Sequence, residues 1–303
     1  MRVLISGAGG LVGRSLASAL EREGHTVTRL VRSAPRGGLE FRWDPAAGVL
    51  DPEALTGCDA VVHLAGAGIA DGRWTPRRKA EILESRRLGT RLIASAITRT
   101  AAPPRVFICA SAVGYYGDRG DEVLSEASGP GTGFLADVVR VWEEEARGAA
   151  RPGVRVVHLR MGLVLAAGGG ALQRMALPFR LGLGGPIGGG RQWMSWIGLR
   201  DLVRVFGHVL ADGGIAGPVN AVSPGALTNL DFARALGRVL GRPAFLPVPA
   251  WALRVALGEM GRELMLFSQR VTPARLMASG FVVERPGIDQ ALGSALRSGA
   301  ESD

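Results

Sequence analysis

The sequence predicts an α/β fold: a doubly wound parallel sheet with a smaller, mainly helical C-terminal lobe. Three observations lead there. An apolar run, Val3-Leu4-Ile5, stops at a glycine cluster and gives way at once to a helical pattern through Leu16, Ala19 and Leu20. Short apolar runs then return along the chain, separated by helical or turn-rich stretches, and this alternation is the pattern that builds parallel sheets. The third is length, since 303 residues are long for one core and short for two full domains. The expected division is a main domain over residues 1–165, completed by about 192–225, with 166–191 and 226–303 as the smaller lobe.

The first strand-to-helix turn carries the chemistry. Gly7, Gly10 and Gly13 stand three apart, G-x-x-G-x-x-G, after the small hydroxyl residue Ser6. Such a turn bends tightly, keeps side chains away from the backbone N–H groups, and lets helix and strand pack closely. A diphosphate can then rest on the amides around Gly7, Gly10, Leu11 and Val12. A G-x-G-x-x-G reading from Gly7 fails, because Val12 stands where the third glycine would be. The three-residue spacing resembles the short-chain dehydrogenase/reductase superfamily, its extended branch in particular, and so implies a Rossmann-type dinucleotide site.

The run His25 to Arg32 reads as the second strand. NAD-preferring folds place an acid near its end, on the ribose hydroxyls. Here no acid lies between Glu23 and Glu40; the strand carries Arg29 and ends in Arg32-Ser33. A guanidinium offers a charged fork to a 2′-phosphate, so NADP(H) is the expected cofactor, held by Arg32 and Ser33. Residues Ala34 to Gly57 read as turn-rich. Asp59 to Gly66 follows as an apolar strand whose small end, Leu64-Ala65-Gly66, suits the adenosine side of a cofactor. His63, inside that strand, reads as a satisfied core histidine.

From Thr75-Pro76 a helix runs on through Ile82, Leu92, Ile93 and Ile97. Extended reductases usually place an asparagine beside the nicotinamide ribose where this chain has Arg86. The resemblance therefore implies cofactor contacts for Arg86 and for Glu81, about one and a half turns earlier. A surface ion pair of Arg86 with Glu81 or Glu84 is the competing reading.

The strand Arg105 to Ala110 leads into Ser111-Ala112-Val113-Gly114-Tyr115-Tyr116-Gly117, which resembles the family's Ser-x-x-x-Tyr-Gly turn. In the family the serine hydroxyl bonds a substrate oxygen. The register stays open. Pairing on Tyr116-Gly117 puts Ala112 at the serine position, whereas one extra residue restores Ser111 with Tyr115 as the catalytic pair. The superfamily's proton relay is Tyr-x-x-x-Lys, with the lysine lowering the tyrosine pKa. That pair is absent here: the two tyrosines are Tyr115 and Tyr116, and the single lysine, Lys79, precedes both. The corresponding helix, Thr132 to Glu144, is apolar where the tyrosine should stand. After the strand Val154 to Arg160, the family's loop passes the nicotinamide, which makes Val164 a backbone contact. A glycine-rich block over 168–190 precedes Trp193 to Leu202, which returns to the main domain, and Asn229 to Leu240 reads as an amphipathic helix.

Composition excludes several classes. Apolar residues make 47% and charged residues 21%, as in an ordinary globular chain, and no apolar run approaches the ~20 residues of a membrane span. The first strand begins at once, so no signal peptide is expected, and Cys58 and Cys109 match neither a disulfide framework nor a metal pattern. A cytoplasmic protein with no metal and no membrane partner is expected. The net charge of +9 comes from arginines scattered along the chain, 35 of the 36 basic residues, so no nucleic-acid surface is expected either.

One subgroup is resembled over nearly the whole chain: the atypical extended reductases called epimerase-family, or sugar-nucleotide epimerase-like, proteins. The shared string is Arg73-Trp74, Ser85-Arg86, Ala112 to Gly117, Trp142-Glu143, Gly168-Gly169-Gly170, Leu183 to Gly188, Trp196-Ile197 and a tail with Pro273 and Gly280-Phe281. The resemblance implies an NADP(H)-binding oxidoreductase or epimerase-like enzyme acting on an unidentified small molecule, and it allows a homodimer. A non-catalytic NADP(H)-binding regulator is the alternative, since the proton relay is missing.

Overall fold

A computed structural model describes residues 1–297. Fourteen strands form in chain order: β1 (Arg2–Ser6), β2 (Thr26–Val31), β3 (Glu40–Asp44), β4 (Val49–Leu50), β5 (Ala60–His63), β6 (Val106–Ala112), β7 (Val123–Leu124), β8 (Arg155–Met161), β9 (Leu163–Leu165), β10 (Trp193–Met194), β11 (Trp196–Gly198), β12 (Gly217–Ala221), β13 (Leu227–Thr228) and β14 (Arg270–Val271). The α-helices are α1 (Leu11–Arg22), α2 (Pro76–Arg99), α3 (Phe134–Arg147), α4 (Gly170–Arg180), α5 (Leu199–Ala211), α6 (Asn229–Leu240), α7 (Ala250–Leu257), α8 (Glu259–Gly261), α9 (Ala274–Ala278) and α10 (Ile288–Arg297).

The large sheet runs β12-β8-β6-β5-β1-β2-β3-β4. β1 pairs in parallel with both β2 and β5, so the chain order reverses beside β1, and ligands of open α/β sheets bind outside the strand ends at such a point. The apolar run Val3-Leu4-Ile5 is fully buried, as a strand covered on both faces must be. Ala34 to Gly57 is a correction to the sequence reading. It contains β3, parallel to β2, and β4, antiparallel to β3. The alternation Phe41-Arg42-Trp43 was the signal, with Phe41 and Trp43 buried and Arg42 exposed, but glycines and a proline on both sides masked it.

By contacts the chain forms two compact units. The first comprises Met1–Ser111, Asp137–Arg160 and Val205–Val219; the second comprises Ala112–Ala136, Met161–Arg204 and Asn220 onward. The division read from sequence differs in placing 112–136, 161–165, 192–204 and 220–225 with the main domain. The first unit is cored by Val3, Leu4, Ile5, Leu16, Val61, Phe107, Ile82 and Ile93. In the second, Leu165, Leu172, Phe179, Trp196, Phe232, Leu236 and Leu292 pack together, and a smaller cluster joins Val113, Tyr116, Leu124, Val222 and Val271. Each large apolar side chain so buried contributes roughly 1.5–3 kcal/mol. Among the described residues no helix is long and apolar enough to cross a membrane.

Candidate functional site

The glycine turn joins β1 to α1 within the first unit. Gly7 takes φ +72°, and a Cβ there would stand 2.8 Å from the Ala65 nitrogen and 2.9 Å from the Leu64 carbonyl carbon. Gly13 presses on the same turn, where a Cβ would come within 2.8 Å of Ala8 Cα. Glycine is thus required at both places, once for conformation and contact, once for helix-on-turn packing. Gly10 is the N-cap of α1 and, having no side chain, offers no cap to the first-turn amides of Leu11 and Val12. Gly9 and Gly10 are exposed, and Leu11 and Val12 are half-buried. Bare amides at the positive end of a helix, on a turn with no side chains in the way, fit a diphosphate.

The end of β2 follows the same logic. Ser6 pairs with Leu30, so Arg32, two residues on, is level with the glycine turn. Arg29 is bound to Glu21 of α1, whereas Arg32 and Ser33 are exposed and Arg32 has no carboxylate partner among the described residues. Glu40 pairs in register with Arg29 and accepts the Arg36 N–H at 2.8 Å, so it does not supply the missing acid at the strand end.

Beneath the turn lies a buried polar chain. Ser6 Oγ meets His63 Nδ1 at 2.6 Å, and His63 Nε2 meets Thr90 Oγ1 at 3.0 Å. Burial, with the Arg86 charge, pushes His63 down to about 3, so the ring is neutral. It is the satisfied core histidine expected. The Leu64 N–H donates to the Ser6 carbonyl at 3.1 Å and to Ser6 Oγ at 3.2 Å, tying the ends of β1 and β5 together.

Helix α2 holds the loop after β5. Thr75 caps it by accepting the Arg78 N–H, with Pro76 at its first position, as the sequence signalled. Ser85 Oγ accepts the Ala67 N–H at 3.0 Å while Arg86 donates to the Ala67 carbonyl at 3.0 Å, and Arg78 donates to the Gly68 carbonyl. Arg86 lies against Gly66, where a Cβ would come 3.2 Å from its Cζ, and over the Trp142 ring at 4.9 Å. Burial and the Arg78 charge bring it down to about 10. The competing ion pair does not form: Glu81 pairs with Arg78 and Glu84 with Arg87. Leu64, Ala65 and Gly66 are thus placed at the strand end beside the glycine turn, with Arg86 at Gly66, while Glu81 sits on the exposed face of α2.

Ser111 is the penultimate residue of β6 and is buried. Its hydroxyl donates to Glu143 Oε1 at 2.7 Å, and Glu143 is gripped by Arg160 through bonds of 2.7 and 2.8 Å. Burial works to raise Glu143, but the Arg160 bonds and charge and the Ser111 bond outweigh it and hold the carboxyl below its usual range. The Ser111 proton is therefore engaged inside the fold, not offered to a substrate oxygen. This bond suits the register that places Ala112 at the serine position. Trp142 and Glu143 were legible only as part of the family string; their neighbours Arg86 and Arg160 are brought to them by the sheet.

In the second unit Tyr115 is half-buried, its ring edge-on to Tyr116 at 5.3 Å. Tyr116 is fully buried and donates to Asn220 Oδ1 at 2.8 Å. Val164 lies in β9, in register with Ile197 of β11. Among the described residues no group of three or more His, Cys, Asp or Glu could hold a metal ion.

Comparison with known proteins agrees with this geometry. Residues 3–221 match the model of the NAD dependent epimerase/dehydratase family, and residues 248–295 match a domain of unknown function, DUF1731. Epimerase family protein Mb2239 of Mycobacterium bovis is 43% identical over 293 residues, covering 97% of each chain. The crystal structure of human epimerase family protein SDR39U1 (isoform 2) with NADPH superposes with a TM-score of 0.90 at 37% identity, covering 98% of this chain and 99% of that one. A nucleoside-diphosphate sugar epimerase from Corynebacterium glutamicum gives a TM-score of 0.80 at 36% identity, covering 98% of this chain and 59% of its own. With the glycine turn, the reversed strand order and these relatives in agreement, the chain belongs to the NAD dependent epimerase/dehydratase family.

Proposed function

We propose that this chain is an NADP(H)-binding oxidoreductase or epimerase-like enzyme of the extended short-chain reductase type, acting on a small molecule in the cytoplasm. One observation carries the reading: a glycine turn with no room for Cβ against β5, opening on uncapped helix amides with an unpaired Arg32 level with it. The human relative's crystal structure with NADPH supports it. Gly7, Gly10, Leu11 and Val12 would hold the diphosphate, Arg32 and Ser33 the 2′-phosphate, and Leu64, Ala65 and Gly66 the adenosine side. Arg86, Glu81 and Val164 would complete the cofactor contacts, making residues 1–165 the cofactor-binding part of the chain. Bound NADP(H) supplies or accepts a hydride. The test is a tryptophan-fluorescence titration, in which NADPH should bind at least about tenfold tighter than NADH, as expected for a charge-assisted fork on one phosphate. Equal affinities would remove the Arg32 assignment.

Without Tyr-x-x-x-Lys, and with the Ser111 hydrogen engaged on Glu143, Tyr115 is the site residue left to carry a proton. Tyr115→Phe should then lower turnover by about 100-fold or more, leaving NADPH affinity unchanged. The engaged Ser111 also favours a second reading, a non-catalytic NADPH-binding regulator. Tight NADPH binding without hydride exchange across sugar nucleotides, aldehydes and ketones would select it.

A further inference from the structure

Helix α1 carries a cation near its start, where its own dipole opposes one. The backbone dipole favours acids in the first turn and bases in the last. In α1 the first turn has no acid and Arg14 follows it immediately, while the last turn carries Arg22, as the dipole favours, beside Glu21. Glu21 is explained, because it binds Arg29 of β2. Arg14 is not explained by any acid: among the described residues its guanidinium has no carboxylate partner.

What Arg14 does have is the turn itself. Long helical side chains lie back over the preceding turn, toward the N-terminus. Arg14 follows that course, and its Nη1 donates to the Gly9 carbonyl at 2.6 Å. One guanidinium nitrogen is used, on the turn that leads into the helix, and the others remain as donors. The bond holds the cation in place without neutralising it.

We infer that Arg14 is a cofactor-binding residue whose guanidinium meets the diphosphate shared by NADPH and NADH. The inference rests on the cofactor reading above and adds a residue and a division of labour to it. Arg14 serves the part common to both dinucleotides, and Arg32 serves the 2′-phosphate that only one of them carries. An arginine opposed by the helix dipole is unfavourable while the turn holds no anion and becomes favourable once a diphosphate arrives, since the anion interacts with both.

Three full-length variants, Arg14→Gln, Arg14→Lys and Arg32→Gln, are titrated with NADPH and with NADH, and their cofactor-free melting temperatures are measured. Arg14→Gln should weaken both cofactors by the same factor, roughly tenfold, as loss of one charge-assisted bond predicts. Arg14→Lys should recover part of that loss, and Arg32→Gln should weaken NADPH alone. The cofactor-free Arg14→Gln chain should melt no lower than the parent, because it has lost an opposed charge; a merely structural arginine would lower it. Unchanged affinities in Arg14→Gln, a loss confined to NADPH, or a melting temperature that falls together with affinity would each overturn the assignment while leaving the cofactor reading intact. A parent chain that binds neither dinucleotide would sink both.

Discussion

Gly7 cannot be replaced cheaply. Its φ of +72° costs any other residue about 1–2 kcal/mol, before the contact of a Cβ with the Leu64–Ala65 peptide is counted. Gly7→Ala should therefore lower unfolding free energy by at least that much in a urea titration, with cofactor binding lost as the two strand ends part. His63 sets a second expectation at this scale. In the fold it is pushed down to about 3, by burial first and then by the Arg86 charge, whereas in the unfolded chain it titrates near 6.5. The unfolded chain takes up the proton first, so the stability is complete above pH 6.5 and is lost as pH falls from there toward 3. The slope is about 1.4 kcal/mol per pH unit for each such histidine. His158, pushed down to about 4 chiefly by burial, adds a parallel loss between 6.5 and 4. Stability measured at successive pH values should show this slope, and His63→Gln should flatten it. The glycines were legible from spacing, and the satisfied histidine from the apolar strand around it. The engagement of Ser111 was not, because its partner Glu143 is 32 residues away and only the fold brings them together.

At the level of elements, α2 was announced by its own ends, Thr75-Pro76, since a cap is a local rule that a sequence states directly. β3 was not, because its five residues sit among turn formers and its partner β2 supplies most of what makes it a strand. Helix α3 sets a buried tryptophan and a buried carboxylate side by side. It buries Trp142 under Arg86 and aims Glu143 at Arg160 of β8, so this part of the helix serves packing and charge balance. Glu143→Gln leaves a buried guanidinium half-compensated and should cost about 3–5 kcal/mol in equilibrium unfolding. Glu143→Gln combined with Arg160→Met should cost less than Glu143→Gln alone, because the uncompensated charge goes with it.

Over the whole molecule, the parallel-sheet fold class and the placement of the dinucleotide turn followed from hydrophobic runs and glycine spacing. The partition of the chain into compact units did not. Segments 112–136, 161–165 and 192–204, read with the main domain, group instead with residues beyond 220, and pairings at such separations leave no local trace. The cofactor reading also has a consequence at this scale. A ligand held only by the folded chain stabilises it by mass action, about 2.7 kcal/mol at a hundredfold excess over Kd. Melting temperature should therefore rise with NADPH concentration, and rise less with NADH at equal concentration.

A carboxylate from far along the chain closes the start of α3. Glu263 accepts the N–H groups of Phe134 and Leu135 at 2.8 and 2.9 Å, and Gly133, at φ +113°, leaves the space it occupies. During synthesis those two amides emerge well over a hundred residues before the group that will satisfy them. A nascent chain released early, or a gene cut ahead of codon 263, would carry a helix whose leading turn has lost its acceptor. The tail, which matches a domain of unknown function, thus finishes a job begun in the first half of the polypeptide, and neither portion should be expected to mature alone.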